Sequence, residues 1–177
     1  MRLMAYIGIG SNLDNPVVQV QEAIEELGAI PDSILIARSS LYSSTPMGAA
    51  SQPDYVNAVV AVDTVLSPQA LLQMLQAIER RRGRERTDEK WGPRVLDLDL
   101  LLYDDRVMTE GKLVLPRDDI NRYAFVLRPL AEIAAAARHP VTGVTFKDMW
   151  AAFDDETQPL TRVDWQPATS TAENSSE

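Results

Sequence analysis

The order of elements in this sequence predicts an α+β fold: one antiparallel sheet of split βαββαβ type, followed by further helices. Three observations carry that expectation. Four β-prone runs, at residues 6–10, 34–42, 55–64 and 97–103, are rich in Val, Ile, Leu and Tyr. Two stretches of helical periodicity, after Pro16 and after Pro68, fall between them in the order strand, helix, strand, strand, helix, strand. The chain then passes into Ala- and Leu-rich helical sequence. That order is the ferredoxin-like pattern. Both crossover helices lie on one face of the sheet and the extra C-terminal helices cover part of the other, a three-layer αβα arrangement.

Each element has a local cause. Tyr6-Ile7-Gly8-Ile9-Gly10 is a short apolar strand ending at the turn Gly10-Ser11-Asn12. Asp14 or Asn15 is placed to cap a helix with Pro16 at its first position; Val17, Val20, Ile24 and Leu27 keep helical spacing, and Gly28 ends the run. The glycines do not make a dinucleotide-binding loop, because position 13 is Leu where a third glycine is needed. The second strand runs from Ile34 to about Tyr42. The Pro- and Gly-punctuated loop after it, residues 43–54, is long for a hairpin and reads as a lid or as a plain surface excursion. Tyr55 to Thr64 is the third strand, with Asn57 on the same face as Tyr55. Ser67 caps a helix opened by Pro68, striped by Leu71, Leu72, Leu75 and Ile78 and ended by Gly83; Gln76 and Glu79 share one of its faces. A second loop, Arg84 to Pro93, leads into the fourth strand. Beyond Tyr103 come a turn at Asp104-Asp105, an extended piece at 113–116, a helix from Pro129 to Ala137 and a last short helix over 146–153. The only histidine, His139, sits in a turn and is not read as a base or a metal ligand. One domain is expected over residues 1–158, with a polar, disordered tail over 159–177.

Composition narrows the function. The 177 residues include no cysteine, which excludes disulfides, thiolate catalysis and Cys-based metal sites. No apolar run approaches the length of a membrane span. A net charge of −9 opposes nucleic acid and anionic membrane. Basic residues nevertheless cluster at Arg80, Arg81, Arg82, Arg84, Arg86, Lys90 and Arg94. The preference for cations near a helix C-terminus explains Arg80 to Arg82, but not the three arginines beyond. A cytoplasmic monomer acting on a small anionic ligand is the expectation, with neither nucleic acid nor membrane as partner.

Asp97 and Asp99 carry the strongest chemical signal. They lie two apart on a very apolar strand, so both side chains point to one face. Burying two like charges side by side is costly unless a cation sits against them. Carboxylates without Cys or a usable His suit one hard ion or a pair, and Mg²⁺ takes its remaining ligands from water and substrate phosphates. Arg84, Arg86 and Arg94 suit phosphate oxygens, Trp91 offers a flat face for a heterocycle, and Asn57 can donate and accept at a ring edge. Together these point to phosphoryl or nucleotidyl transfer.

Trp91-Gly92-Pro93-Arg94-x-x-Asp97-Leu98-Asp99-Leu100-Leu101 resembles the signature of the 6-hydroxymethyl-7,8-dihydropterin pyrophosphokinases of folate synthesis. Tyr6 to Leu13, Pro46-Met47-Gly48, Gln52 to Asn57, Ile78-Glu79 and Phe125-Val126-Leu127-x-Pro129-Leu130 agree with it, so that the resemblance spans about residues 4–135. It implies transfer of pyrophosphate from ATP to the pterin hydroxymethyl group. It further implies two Mg²⁺ on Asp97 and Asp99, and Arg84 and Arg94 as transition-state cations. Ser44, Thr45, Met47, Tyr55, Asn57, Trp91 and Phe125 would contact the pterin. Gln76, Glu79, Arg84, Arg86, Trp91, Arg94, Leu100, Lys112 and Arg117 would contact ATP. The sequence departs from the family pattern at Thr87, where a basic residue is frequent, at Arg117, where a His is usual, and at Tyr123, where an Arg is common. Two other readings compete: an Mg-dependent nucleotidyltransferase, and a ferredoxin-like binding module with a defunct site.

Overall fold

The computed structural model describes residues 1–45, 54–83 and 95–167. The elements run β1 (Leu3–Ser11), α1 (Pro16–Leu27), β2 (Ser33–Arg38), β3 (Leu41–Ser44), β4 (Tyr55–Thr64), α2 (Pro68–Arg81) and β5 (Asp97–Tyr103). There follow a hairpin of β6 (Met108–Glu110) and β7 (Leu113–Leu115), then α3 (Asp119–Arg122), α4 (Ala124–Ile133), α5 (Phe146–Ala152) and β8 (Leu160–Val163). Six strands form one antiparallel sheet in the order β5-β1-β4-β3-β8, with β2 also on β4. This is an α+β fold with helices on both faces. Val20, Ile24, Leu71, Leu75 and Ile78 of α1 and α2 pack on one face of the sheet. Leu127 and Leu130 of α4 and Phe146 of α5 cover Val59 and Leu101 on the other.

Several boundaries differ from the sequence reading, each for a physical reason. The strand expected from Ile34 to Tyr42 is broken into β2 and β3. Its register on β4 shifts between Leu35 and Ala37, and Ser39-Ser40 turns the chain. Glu132 on α4 holds that turn, accepting from Ser40 N at 3.0 Å, Ser40 Oγ at 2.8 Å and Tyr42 Oη at 2.7 Å. Asn15 stands at the cap of α1 but makes no side-chain cap bond, because its backbone is left-handed (φ 61°) and not extended. Ser67 caps α2 as expected, its Oγ accepting from Ala70 N at 3.1 Å. α4 begins at Ala124, well before Pro129, which lies inside it. The proline removes one intrahelical donor, yet α4 buries Val126 and Leu127 before it and Leu130 after it, and that packing outweighs the local break.

The chain beyond residue 159, expected as tail, instead supplies β8 on the edge of β3. Successive side chains of the strand point to opposite faces, so Val163 packs toward the α1/α2 core while Arg162 faces the other way, its guanidinium over the Tyr42 ring. Residues 168–177 lie outside the described residues. Among those described, no helix is long and apolar enough to cross a membrane.

Candidate active site

β1 runs through the middle of the sheet, and its two glycines decide what one face can present. Gly10 pairs with Asn57 on β4 and with Asp97 on β5; Gly8 pairs with Val59 and Asp99. Residues directly opposed in an antiparallel pair share a face. Asn57, Asp97 and Asp99 therefore point to the same side, toward α4, with no β1 side chain between them. A Cβ on Gly10 would stand 2.9 Å from Asn57 Oδ1, and one on Gly8 would meet Leu101 at 3.4 Å. The outcome is a trough over β1, with an amide on one bank and two carboxylates on the other.

Asn57 is 5% exposed, and its Nδ2 donates to Ser44 Oγ at 3.0 Å. Two residues expected at the pterin thus touch each other. Tyr55 opens β4 opposite Ser44, and Thr45 follows β3 at the surface. Phe125 lies in the first turn of α4, stacked on Tyr123 with ring centroids 5.1 Å apart.

On the other bank, the Asp99 side chain is 43% exposed yet crowded. Burial of its surroundings and then the Asp97 charge push its carboxyl up to about 7; Asp119 and Glu79 add to this, and Arg117 opposes it. Two adjacent carboxylates whose charge is disfavoured fit a hard divalent cation. No third His, Cys, Asp or Glu among the described residues completes an all-protein cluster with them. That donor set suits Mg²⁺, which keeps waters and ligand phosphates as its other partners.

Glu79 is 4% exposed and accepts from Leu98 N, the residue between the two acids, at 2.7 Å. Gln76 lies one turn earlier on α2 and is half-buried. Leu100 is buried in the α1/α2-side core, whereas Lys112 is exposed at the β6–β7 turn. Arg117 is held by its backbone, N to Leu101 O at 3.0 Å, with its guanidinium 3.3 Å from Asp119 and 4.0 Å from Asp99. Met47, Arg84, Arg86, Trp91 and Arg94 lie outside the described residues, as do the loop segments 46–53 and 84–94. Arg82 is committed elsewhere, to Glu22 at 3.0 Å, Glu26 at 2.5 Å and Gln19 at 3.0 Å on α1. His139 is buried, and its Nδ1 accepts from Val141 N at 3.2 Å and Thr142 N at 3.4 Å, which organises a turn.

Sequence reasoning missed one group at this site. Thr157, Gln158, Pro159 and Leu160 line a pocket together with Ser44, Thr45 and Phe125. No local pattern in Leu160-Thr161-Arg162-Val163 signals this role, which comes from pairing with β3.

Fold and site define a small α+β domain that presents two carboxylates and a polar trough to a small ligand. The chain belongs to the family of 7,8-dihydro-6-hydroxymethylpterin-pyrophosphokinases (HPPK), whose pattern matches residues 6–135. The 2-amino-4-hydroxy-6-hydroxymethyldihydropteridine pyrophosphokinase of Haemophilus influenzae is 44% identical over 133 residues, 75% of this chain and 82% of that protein. The enzyme of the same name from Pseudomonas aeruginosa is 46% identical over 135 residues, 76% of this chain and 83% of that protein. A wild-type Plasmodium falciparum HPPK-DHPS crystal structure shares the fold with a TM-score of 0.66 at 14% identity, covering 85% of this chain and 41% of that one. An HPPK-DHPS in complex with substrates gives a TM-score of 0.69 at 12% identity, covering 85% of this chain and 43% of that one.

Proposed function

We propose that this chain is a 2-amino-4-hydroxy-6-hydroxymethyldihydropteridine pyrophosphokinase that moves pyrophosphate from ATP to 6-hydroxymethyl-7,8-dihydropterin. The observation that carries the reading is the trough over Gly8 and Gly10, which sets Asn57 across from Asp97 and Asp99. Asn57 and Ser44 meet the polar edge of the pterin, while Tyr55 and Phe125 flank the ring. That directs the hydroxymethyl group toward the two acids. Its oxygen attacks the β-phosphorus of ATP, the bond to the bridging oxygen of the α-phosphate breaks, and AMP leaves. The hydroxyl proton passes to water. Asp97 and Asp99 hold Mg²⁺, which when bound neutralises phosphate charge. Glu79 keeps Leu98, and with it both acids, in place. Gln76, Lys112 and Arg117 are assigned to the ATP side, with Leu100 contributing backbone only, since its side chain is buried in the α1/α2-side core, and Arg84, Arg86 and Arg94 supply cations for the triphosphate. Orientation and charge neutralisation dominate such a transfer, so no strong base is needed.

The strand order supports reading the core as a ferredoxin-like unit; the catalytic domain runs on through β8, past the boundary at 158 expected from the sequence, and is read as a monomer acting on small molecules. Incubating the protein with Mg²⁺, ATP and the dihydropterin tests the proposal. AMP and a pterin diphosphate are expected. Release of pyrophosphate with a nucleotide-linked product would make it a nucleotidyltransferase, and a folded chain without turnover would make it a binding module.

A further inference from the structure

Residues 157–163 lie beyond the stretch that matches the family, yet they are among the most firmly tied in the C-terminal part of the chain. Gln158 uses both ends of its amide: Oε1 accepts from Ala124 N at 2.9 Å, and Nε2 donates to Arg122 O at 3.0 Å. Ala124 N is an orphan donor of the first turn of α4, so Gln158 caps the helix that carries Phe125. Directly after it, β8 pairs Leu160 with Ser44 and Arg162 with Tyr42. Farther on, Trp165 lies under the Arg38 guanidinium at 3.8 Å, and Gln166 exchanges two bonds with Gln21 on α1, at 2.6 and 3.0 Å. Between these anchors, residues 157–160 close a pocket whose other side is Ser44, Thr45 and Phe125.

We propose that residues 157–160 are a wall of the pterin-binding pocket, with Gln158 the positioning residue that sets Phe125 and Leu160 a specificity-determining contact. The inference rests on the pyrophosphokinase reading. The wall faces a neutral, flat heterocycle and not the triphosphate, because the acid pair lies across β1 on the far bank. A plain edge cover for β3 would protect that strand from pairing elsewhere and would change stability alone. A wall changes pterin affinity separately from ATP affinity.

The test uses the full chain and measures binding of 6-hydroxymethylpterin by its fluorescence, with Mg²⁺ and a non-hydrolysable ATP analogue present. Gln158→Ala removes up to two hydrogen bonds and is expected to weaken pterin binding about tenfold. Leu160→Trp keeps those bonds but fills the pocket, and is expected to weaken it at least as much. Affinity for the ATP analogue stays within about twofold in both. The proposal is overturned if both variants, folded by circular dichroism, bind pterin like the unaltered chain. It is overturned equally if the ATP analogue weakens in parallel. If the unaltered chain binds no pterin, the functional reading fails first and the wall with it.

Discussion

At Asp99 two influences oppose each other. Burial and the neighbouring Asp97 raise its carboxyl to about 7, while the Arg117 guanidinium at 4.0 Å pulls it down. The sign of the consequence follows from linkage. Between the ordinary value of 3.8 and about 7, the folded protein holds a proton that the unfolded chain does not. Metal-free stability therefore falls as pH rises through that window. Melting temperatures of the metal-free protein should decline across it, and Asp99→Asn should flatten the decline; an unchanged slope in the variant would remove Asp99 as its source. On the same reading Mg²⁺ competes with this proton, so its affinity rises with pH up to about 7 and then levels off.

Gly10 is the other informative residue. A Cβ there meets the end of Asn57, whose amide is already bound to Ser44 and can move little. Gly10→Ala is expected to raise the KM for the pterin about tenfold or more while the fold, read by circular dichroism, persists. An unchanged KM would show that Asn57 does not set pterin position.

Among the elements, β3 and β5 do most to place the site, and each is held by a glutamate, β5 by the buried Glu79 and the turn before β3 by the more exposed Glu132. Glu132 binds the turn that separates β2 from β3. Burial alone would raise its carboxyl, but the bonds from Tyr42 and Ser40 win and lower it. Glu132→Ala leaves those donors without their acceptor, at a cost of about 2 kcal/mol, or a fall of roughly 4–8 °C in Tm. A shift below 1 °C would show the turn to be self-supporting. These elements also show why sequence reading reached some boundaries and not others. α2 was legible because Ser67, Pro68 and Gly83 are strong local signals. The break at Ser39-Ser40 was not, because its cause, Glu132, lies far along the chain. α4 was started too late because Pro129 reads as a helix opener, whereas burial of Val126, Leu127 and Leu130 carries the helix through it.

For the molecule as a whole, the division of labour between the two faces of the sheet was legible. The Asp97/Asp99 pair and Asn57 announce themselves as polar residues on apolar strands, and the sheet register brings them to one side. The wall from residues 157–160 was not legible, since its meaning depends on pairing with β3, which no local pattern records. On the proposed function, the two acids face the pterin across β1 and serve the transfer, not the binding of the heterocycle. Asp97→Ala and Asp99→Ala, assayed for AMP formation from ATP and for pterin binding in the same preparation, test it most directly. Turnover is expected to fall by three orders of magnitude or more, on the order of 4 kcal/mol of transition-state stabilisation, with pterin binding still measurable. Near-normal AMP formation in either variant would contradict it.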